Sequence, residues 1–355
     1  MSGEASLLKI LSAALALSAL LVTGIGAVTA ADPIPMIDAH SQADKDFDIS
    51  AALKLMDQGG VRRTILSSLG GLTPSKLVAM AAAHSDRITA SMEVKSQQHY
   101  MTGTPEFFQR LAKMAEEPRY GAISEALLFH AEKGTQPRRG GQGAERRGGQ
   151  AQERAGGQEQ RRRGGQGQER QRETVPEFNL SIDSPQVKAV LQVALRRNWP
   201  FVAHYEFRSL NTADYAARMA ELKRLLGAHP SHPIVLIHMG QLYAGEAAVL
   251  ISEFRNVYFM TSHSNPLYDA MGGGLSWTKL FEGRKIAPAW KKLFVTHPDR
   301  FILGFDNVLK RHWEPAYYVA QAKLWQDAFA DLPPEVAHAI AHRNAERLWR
   351  LPAVK

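Results

Sequence analysis

From Met36 onward the chain alternates short, nearly continuous apolar runs with longer stretches whose apolar residues recur at helical spacing. The runs are Met36–His40, Val61–Leu69, Arg87–Val94, Gly121–Phe129, Pro200–Tyr205, His232–Met239, Val257–Thr261 and Arg300–Phe305. Their shortness and β-branched content predict buried strands. Between them, residues 49–57, 74–84, 105–117, 187–196, 213–226, 244–254 and 288–294 have helical spacing, and 334–351 predicts a closing helix. Asp48 is placed to cap the first helix and Gly59-Gly60 to stop it. Strand and helix in strict alternation imply parallel pairing through helical crossovers, and eight such strands close a cylinder. The expected fold is therefore α/β, a (β/α)8 TIM barrel.

Two segments fall outside this rhythm. Residues 1–31 read as a signal peptide: Lys9 and the amino terminus supply a thin positive region, Ile10–Val22 is apolar, and Val28-Thr29-Ala30 offers small residues for cleavage. The domain boundaries that follow are 1–31 for the leader and 32–355 for the barrel. Export, to a periplasm or to the outside, is the expected localisation, with no stable membrane span left after cleavage. The second segment, 134–174, repeats Arg-Gly-Gly-Gln after the fourth strand and contains no Leu, Ile, Val, Phe, Tyr or Trp. Such a tract cannot bury a core, so it predicts a disordered Arg/Gly/Gln-rich insertion in a loop.

Charge changes the picture only once it is located. The net charge is +8, but residues 138–172 alone carry ten arginines against four glutamates, leaving the folded body close to neutral. The tract lacks the aromatic residues on which bases stack, which argues against nucleic acid as a partner. A small molecule is the expected partner instead, and the sequence leaves the oligomeric state open. The chain has no cysteine, which excludes disulfides, thiolate metal sites and a cysteine nucleophile. Any metal must sit on nitrogen and oxygen.

In a barrel the carboxyl ends of the strands line one mouth, so polar residues there bear on function. His40 ends the first strand, Glu125 lies in the fourth, His204 and His238 end the fifth and sixth, and Asp306 follows the eighth. His263 follows the seventh and is within reach of the mouth. His130 and Glu132 continue past the fourth strand, towards a substrate. His84, His229, His232, His297, His312, His338 and His342 fall on helices or opposite-end turns and read as solvated or packing residues.

The segments Ile37-Asp38-Ala39-His40, Ala203-His204, Ile237-His238-Met239-Gly240, Leu303-Gly304-Phe305-Asp306 and Asn344-Ala345-Glu346-Arg347-Leu348 together resemble the amidohydrolase-related family. These are metal-dependent barrel hydrolases, with non-oxidative decarboxylases among them. The resemblance spans Pro35–Leu351 apart from the Arg-Gly-Gly-Gln tract. It implies a divalent metal, zinc before manganese, with His40 and His204 as ligands. Asp306 would be a ligand or the base handling the water, and His238 a polarising or proton-shuttling group. Metal-bound water would then be the nucleophile towards a small amide, lactone or ester-like substrate.

The chain departs from the family at Gln42, where a second histidine is usual two residues after the first. An amide oxygen binds zinc more weakly than an imidazole. Glu125 can restore an oxygen ligand, and Gln42 itself is counted among the expected ligands. Two alternatives follow: a non-oxidative decarboxylase on the same metal site, and an exported non-catalytic binding protein whose metal site has degenerated at Gln42.

Overall fold

The computed structural model describes residues 33–95, 97–131, 177–270 and 278–354. The expected leader and the Arg/Gly/Gln-rich insertion lie outside the described residues. Contacts group Pro35–Lys355 into one compact unit.

Parallel strands form the wall. One ladder runs β1 (Met36–Ala43), β2 (Val61–Ser68), β3 (Ile88–Met92), β4 (Ala122–Ile123). The other contains β5 (Ala126–His130), β7 (Phe201–Tyr205), β8 (Ile234–Leu236), β9 (Val257–Met260) and β12 (Phe301–Ile302), with β6 (Phe178–Asn179) added antiparallel to β5, while β10 (Phe281–Glu282) and β11 (Lys285–Ile286) pair antiparallel on their own. β4 and β5 are one barrel strand interrupted at Ser124-Glu125, where the Ser124 hydroxyl accepts from the Val94 amide at 3.2 Å. Backbone bonds close the ring between β12 and β1: Ala39 N donates to Leu303 O at 3.0 Å and Gln42 N to Asn307 O at 2.9 Å. Parallel strands joined by helices and closed on themselves are the (β/α)8 barrel that the hydrophobic rhythm implies.

The helices follow the caps. Asp48 accepts from the amides of Ser50 and Ala51, and Gly60 at φ 72° ends that helix. Thr73 and Thr104 cap Pro74–Ala83 and Pro105–Ala115 in the same way. The sequence reading omits the helix Pro315–Ala330, which packs on Ile49–Gly59 and buries Tyr318, Trp325 and Phe329. Its apolar residues are spread around the helix rather than along one stripe, so the periodic signal is weak.

The barrel interior is layered. Ile37, Ala39, Ile65, Val202, Val235 and Ile302 form an apolar cluster closed below by Ala345, Leu348 and Trp349 of the terminal helix Asn344–Trp349. Asn344 ties that helix to the wall, its amide donating to the carbonyls of Pro298 and Phe301 at 2.7 and 2.8 Å. Trp290 is buried and bonds the Thr278 carbonyl, and Phe281 meets the Trp325 ring edge-on.

Candidate metal centre

Above the apolar layer the inward side chains become polar, and a bulge in β1 starts the change. Asp38 pairs with Thr64 but Ser41 with Leu66, so β1 carries one extra residue there. An extra residue switches the parity of a strand. Ile37 and Ala39 thus face the core below, while His40 and Gln42 both turn to Asp306 above. Asp38 pins this bulge: its carboxylate accepts from the amides of His40 (3.2 Å) and Phe305 (2.8 Å) and from the Ser41 hydroxyl (2.5 Å). Burial pushes its carboxyl up to about 7 in spite of those three bonds.

The residues at the other strand ends are set by backbone strain. His238, His263 and Asp306 all have positive φ, at 54°, 55° and 57°. Left-handed backbone at non-glycine residues costs about 1–3 kcal/mol each and persists where surrounding structure enforces it, commonly at functional sites. Gly304 is required for a different reason: a Cβ there would stand 2.8 Å from the Met260 side chain.

Asp306 is the hub. Its Oδ1 lies 3.4 Å from His40 Nε2 and accepts from the Gln42 amide at 3.2 Å. Its Oδ2 lies 3.6 Å from His238 Nε2 and 3.4 Å from His263 Nδ1. The remaining nitrogen of each of these two imidazoles faces a backbone carbonyl: His238 Nδ1 meets Ser262 O at 3.1 Å, and His263 Nε2 meets Asp306 O at 2.8 Å. A carbonyl only accepts, so these nitrogens carry protons, and in the neutral rings the lone pairs fall on His238 Nε2 and His263 Nδ1. Both lone pairs face one carboxylate oxygen, the arrangement that a cation resolves.

Glu125 forms a second arm. Its Oε1 contacts the Lys95 ammonium and lies 3.6 Å from His40 Nε2, and its Oε2 is hydrogen-bonded to His204 Nδ1 at 2.6 Å. The ligand atoms of Glu125, His204 and His238 lie within 4.8 Å of one another, as do those of His238, His263 and Asp306. His238 belongs to both groups, and His40 spans them by touching both carboxylates.

The electrostatics show how strongly this cluster holds positive charge. Burial pushes the Asp306 carboxyl up, but the imidazoles of His263 and His40 outweigh it and hold the group well below the usual range. Burial likewise raises Glu125, and Lys95 and His204 outweigh that. Burial would lower His40; the Asp306 and Glu125 carboxylates instead raise it to about 10. His238 is driven well below its ordinary value, first by burial and then by the His204 and His263 imidazoles.

The residues present fit a divalent metal. Ligand atoms 2.0–2.1 Å from a tetrahedral zinc stand roughly 3.4 Å apart, and the Asp306 contacts with His238 and His263 are 3.6 and 3.4 Å. His40 Nε2 and the Gln42 side-chain oxygen are buried beside them and make no hydrogen bond.

The expected residues His40, Gln42, Glu125, His204, His238 and Asp306 thus all gather at one rim, with Gln42 presenting its amide nitrogen to Asp306 and His204 lying against Glu125. Sequence reasoning omitted Lys95 and Glu206. Lys95 stands three residues beyond β3, where the strand-end rule reaches. Glu206 directly follows β7, the position at which Asp306 was sought. His312, one of the histidines expected to be solvated or packing, is a packing residue, buried with its ring 6.0 Å from that of His263. Its Nδ1 accepts from the Val308 and Leu309 amides, and burial lowers its pKa to about 4.

No curated protein matches the chain. Among solved structures it is similar to an uncharacterised TIM-barrel protein from Bordetella bronchiseptica, at 14% identity and TM-score 0.50, covering 85% of this chain and 83% of that one. It is similar also to a TatD homologue from Escherichia coli K12, at 13% identity and TM-score 0.51, covering 89% and 98%. 5-Carboxyvanillate decarboxylase from Sphingomonas paucimobilis matches at 14% identity and TM-score 0.49, covering 90% and 100%. At these identities the first two likenesses speak for the barrel. The model of the amidohydrolase family matches residues 37–351, nearly the whole barrel with its strand-end histidines and acids, and the chain belongs to that family.

Proposed function

We propose that the protein is a metal-dependent hydrolase of a small amide, lactone or ester-like substrate. The proposed ion is zinc, with manganese the second choice, and His238, His263 and Asp306 would hold it, with His40 on the second carboxylate oxygen. The observation that carries the proposal is the pair of lone pairs, on His238 Nε2 and His263 Nδ1, aimed at one oxygen of Asp306.

A divalent ion there supplies Lewis acidity, polarising a carbonyl and making water acidic near neutral pH. The other work falls to this chain's own groups. Asp306, kept ionised by its imidazole neighbours, accepts the proton of the attacking water on the oxygen that the Gln42 amide orients. His40, 3.4 Å from that oxygen, is placed to take that proton from Asp306 and pass it on to a leaving group. Lys95, its side chain 21% exposed beside a Glu125 that is buried, presents an ammonium to whatever enters the mouth.

That ammonium favours an anionic substrate, and for the same reason it favours the second reading, decarboxylation of a small acid. Among the described residues no helix is long and apolar enough to cross a membrane. Export stays part of the proposal on the pattern of residues 1–31. Metal analysis of the purified chain, with turnover on amide, lactone and ester panels and a carbon dioxide assay on aromatic acids, tests the reading. Bound zinc, hydrolysis and its loss in Asp306→Asn are expected. Metal-free protein, or turnover indifferent to Asp306→Asn, would overturn hydrolysis, and carbon dioxide release without hydrolysis would move the assignment to the second reading.

A further inference from the structure

Beside the centre just described lies a second group of ligands that the proposed reaction does not use. It is formed by His130 at the end of β5, His204 in β7 and Glu206 directly after β7, all buried. We infer that His130, His204 and Glu206 form a second divalent-metal site of zinc type, separate from the ion on Asp306.

The fold brings the three together through strand pairing. β5 and β7 are parallel neighbours with Leu127 opposite His204, and the ladder is extended by Glu206 N donating to Phe129 O at 3.1 Å. Glu206 is then fixed from the other side, because its Oε2 accepts from the Ala131 amide at 3.0 Å. Its second oxygen, Oε1, is left facing His204 Nε2 at 3.3 Å and His130 Nε2 at 3.8 Å. One ligand atom from each of the three residues lies within 4.8 Å of the other two. Ligands 2.0–2.1 Å from a tetrahedral zinc stand roughly 3.4 Å apart, so both contacts are close to the edge of such a polyhedron.

The chemistry of His204 points the same way. Its Nδ1 is 2.6 Å from Glu125 Oε2, a direct hydrogen bond with no room for an ion between them. A carboxylate accepts, so Nδ1 donates to Glu125, and Nε2, 3.3 Å from Glu206 Oε1, is the nitrogen that would give its lone pair to a metal on losing its proton. A carboxylate that holds one imidazole nitrogen while the other binds metal is the usual support of a zinc-binding histidine. Here Glu125 is that support, and Lys95 steadies Glu125 in turn. Two imidazoles and one carboxylate suit zinc or cobalt rather than magnesium or calcium, and they leave a fourth position open. None of the three residues is needed by the Asp306 ion, so the two sites can fill or fail independently.

Titration of the chelator-stripped full chain with cobalt(II) and zinc tests this, with metal counted after gel filtration and cobalt d–d absorption recorded at each step. Wild type should take two equivalents. Glu206→Gln and His130→Ala should each lose one binding step and its absorption while the other keeps its dissociation constant. Asp306→Asn should lose the opposite step. If His130→Ala does not fold, as judged by circular dichroism, His130→Gln keeps the bulk and removes the ligand.

Wild-type titration curves in both Glu206→Gln and His130→Ala would overturn the inference. So would loss of both steps in folded Glu206→Gln, which would make Glu206 a positioning group for His204 in one shared centre. A single equivalent that survives Asp306→Asn and vanishes in Glu206→Gln would uphold this site and remove the ion from Asp306. The reverse pattern, or no bound metal in wild type, would refute it.

Discussion

The two ends of the barrel interior are built from the same strands and obey opposite rules. At the lower end Ile37, Val202, Val235 and Ile302 cluster with Leu348 and Trp349 in a buried apolar plug. At the upper end His40, His238, His263, Asp306 and Glu125 crowd together, buried and ionisable, several on left-handed backbone. Burying apolar surface stabilises the fold by about 25 cal/mol per Å², whereas burying charge costs stability unless it is paired. The difference teaches that the plug holds the wall in place and that the rim draws on this stability to keep a strained, charge-dense cluster preorganised.

The sharpest way to break the comparison is at the plug. Trp349→Ala should destabilise the protein by about 3–5 kcal/mol through loss of burial and the cavity left behind, while metal affinity of the remaining folded protein stays as in wild type. Denaturant unfolding and metal titration read the two quantities separately. Weakened metal binding with unchanged unfolding would mean that the two ends are not separable in this way.

At the rim the main expected loss is in turnover. Asp306→Asn should lower hydrolytic turnover by about 10²–10⁴-fold, the range for removing a general base. It should also lower the unfolding midpoint, because it removes the buried partner of the His40 imidazole. A large drop in midpoint with turnover retained would make Asp306 part of the scaffold.

A gentler substitution sharpens the contrast at one residue. Gln42→His places an imidazole where the amide nitrogen now bonds Asp306, and metal affinity should rise by about tenfold on ligand type. Competition against a chromophoric chelator measures this. Identical affinities would show that position 42 stays out of reach of the ion.

The smallest effect is a proton. In the metal-free protein His40 is raised to about 10, so its contribution to stability is complete below its unfolded value near 6.5 and disappears as pH rises through about 10. At pH 8 His40 is therefore protonated, and a cation on Asp306 replaces that charge, releasing up to about one proton. Calorimetric titration at pH 8 in two buffers of different ionisation enthalpy should give different heats. Equal heats would contradict the coupling of His40 to the ion.

Much of this was legible in the chain. The strand ends that carry His40, His204, His238 and Asp306 follow from apolar runs that stop, because a run of that length has nowhere to bury a polar residue except at its mouth end. The partners of those residues were not legible. Lys95 and Glu206 lie just beyond strands, as Asp306 does, but a single lysine or glutamate after a strand is common and carries no signal of what it faces. His263 was legible as a residue after the seventh strand within reach of the mouth, but its meeting with Asp306 depends on positive-φ turns at His238, His263 and Asp306, and non-glycine residues do not announce such turns.

The amino-acid order by itself determined the alternation of strand and helix, the caps that bound the helices, and the side of the barrel on which histidines and acids collect, because these depend on local periodicity and propensity. Only the tertiary structure decided which of those groups meet. The bulge between Asp38 and Ser41 turns His40 and Gln42 onto Asp306, and the pairing of β5 with β7 sets His130 beside His204 and Glu206. Distance between side chains is fixed by register and by the parity of each strand, and both are settled only when the strands pair.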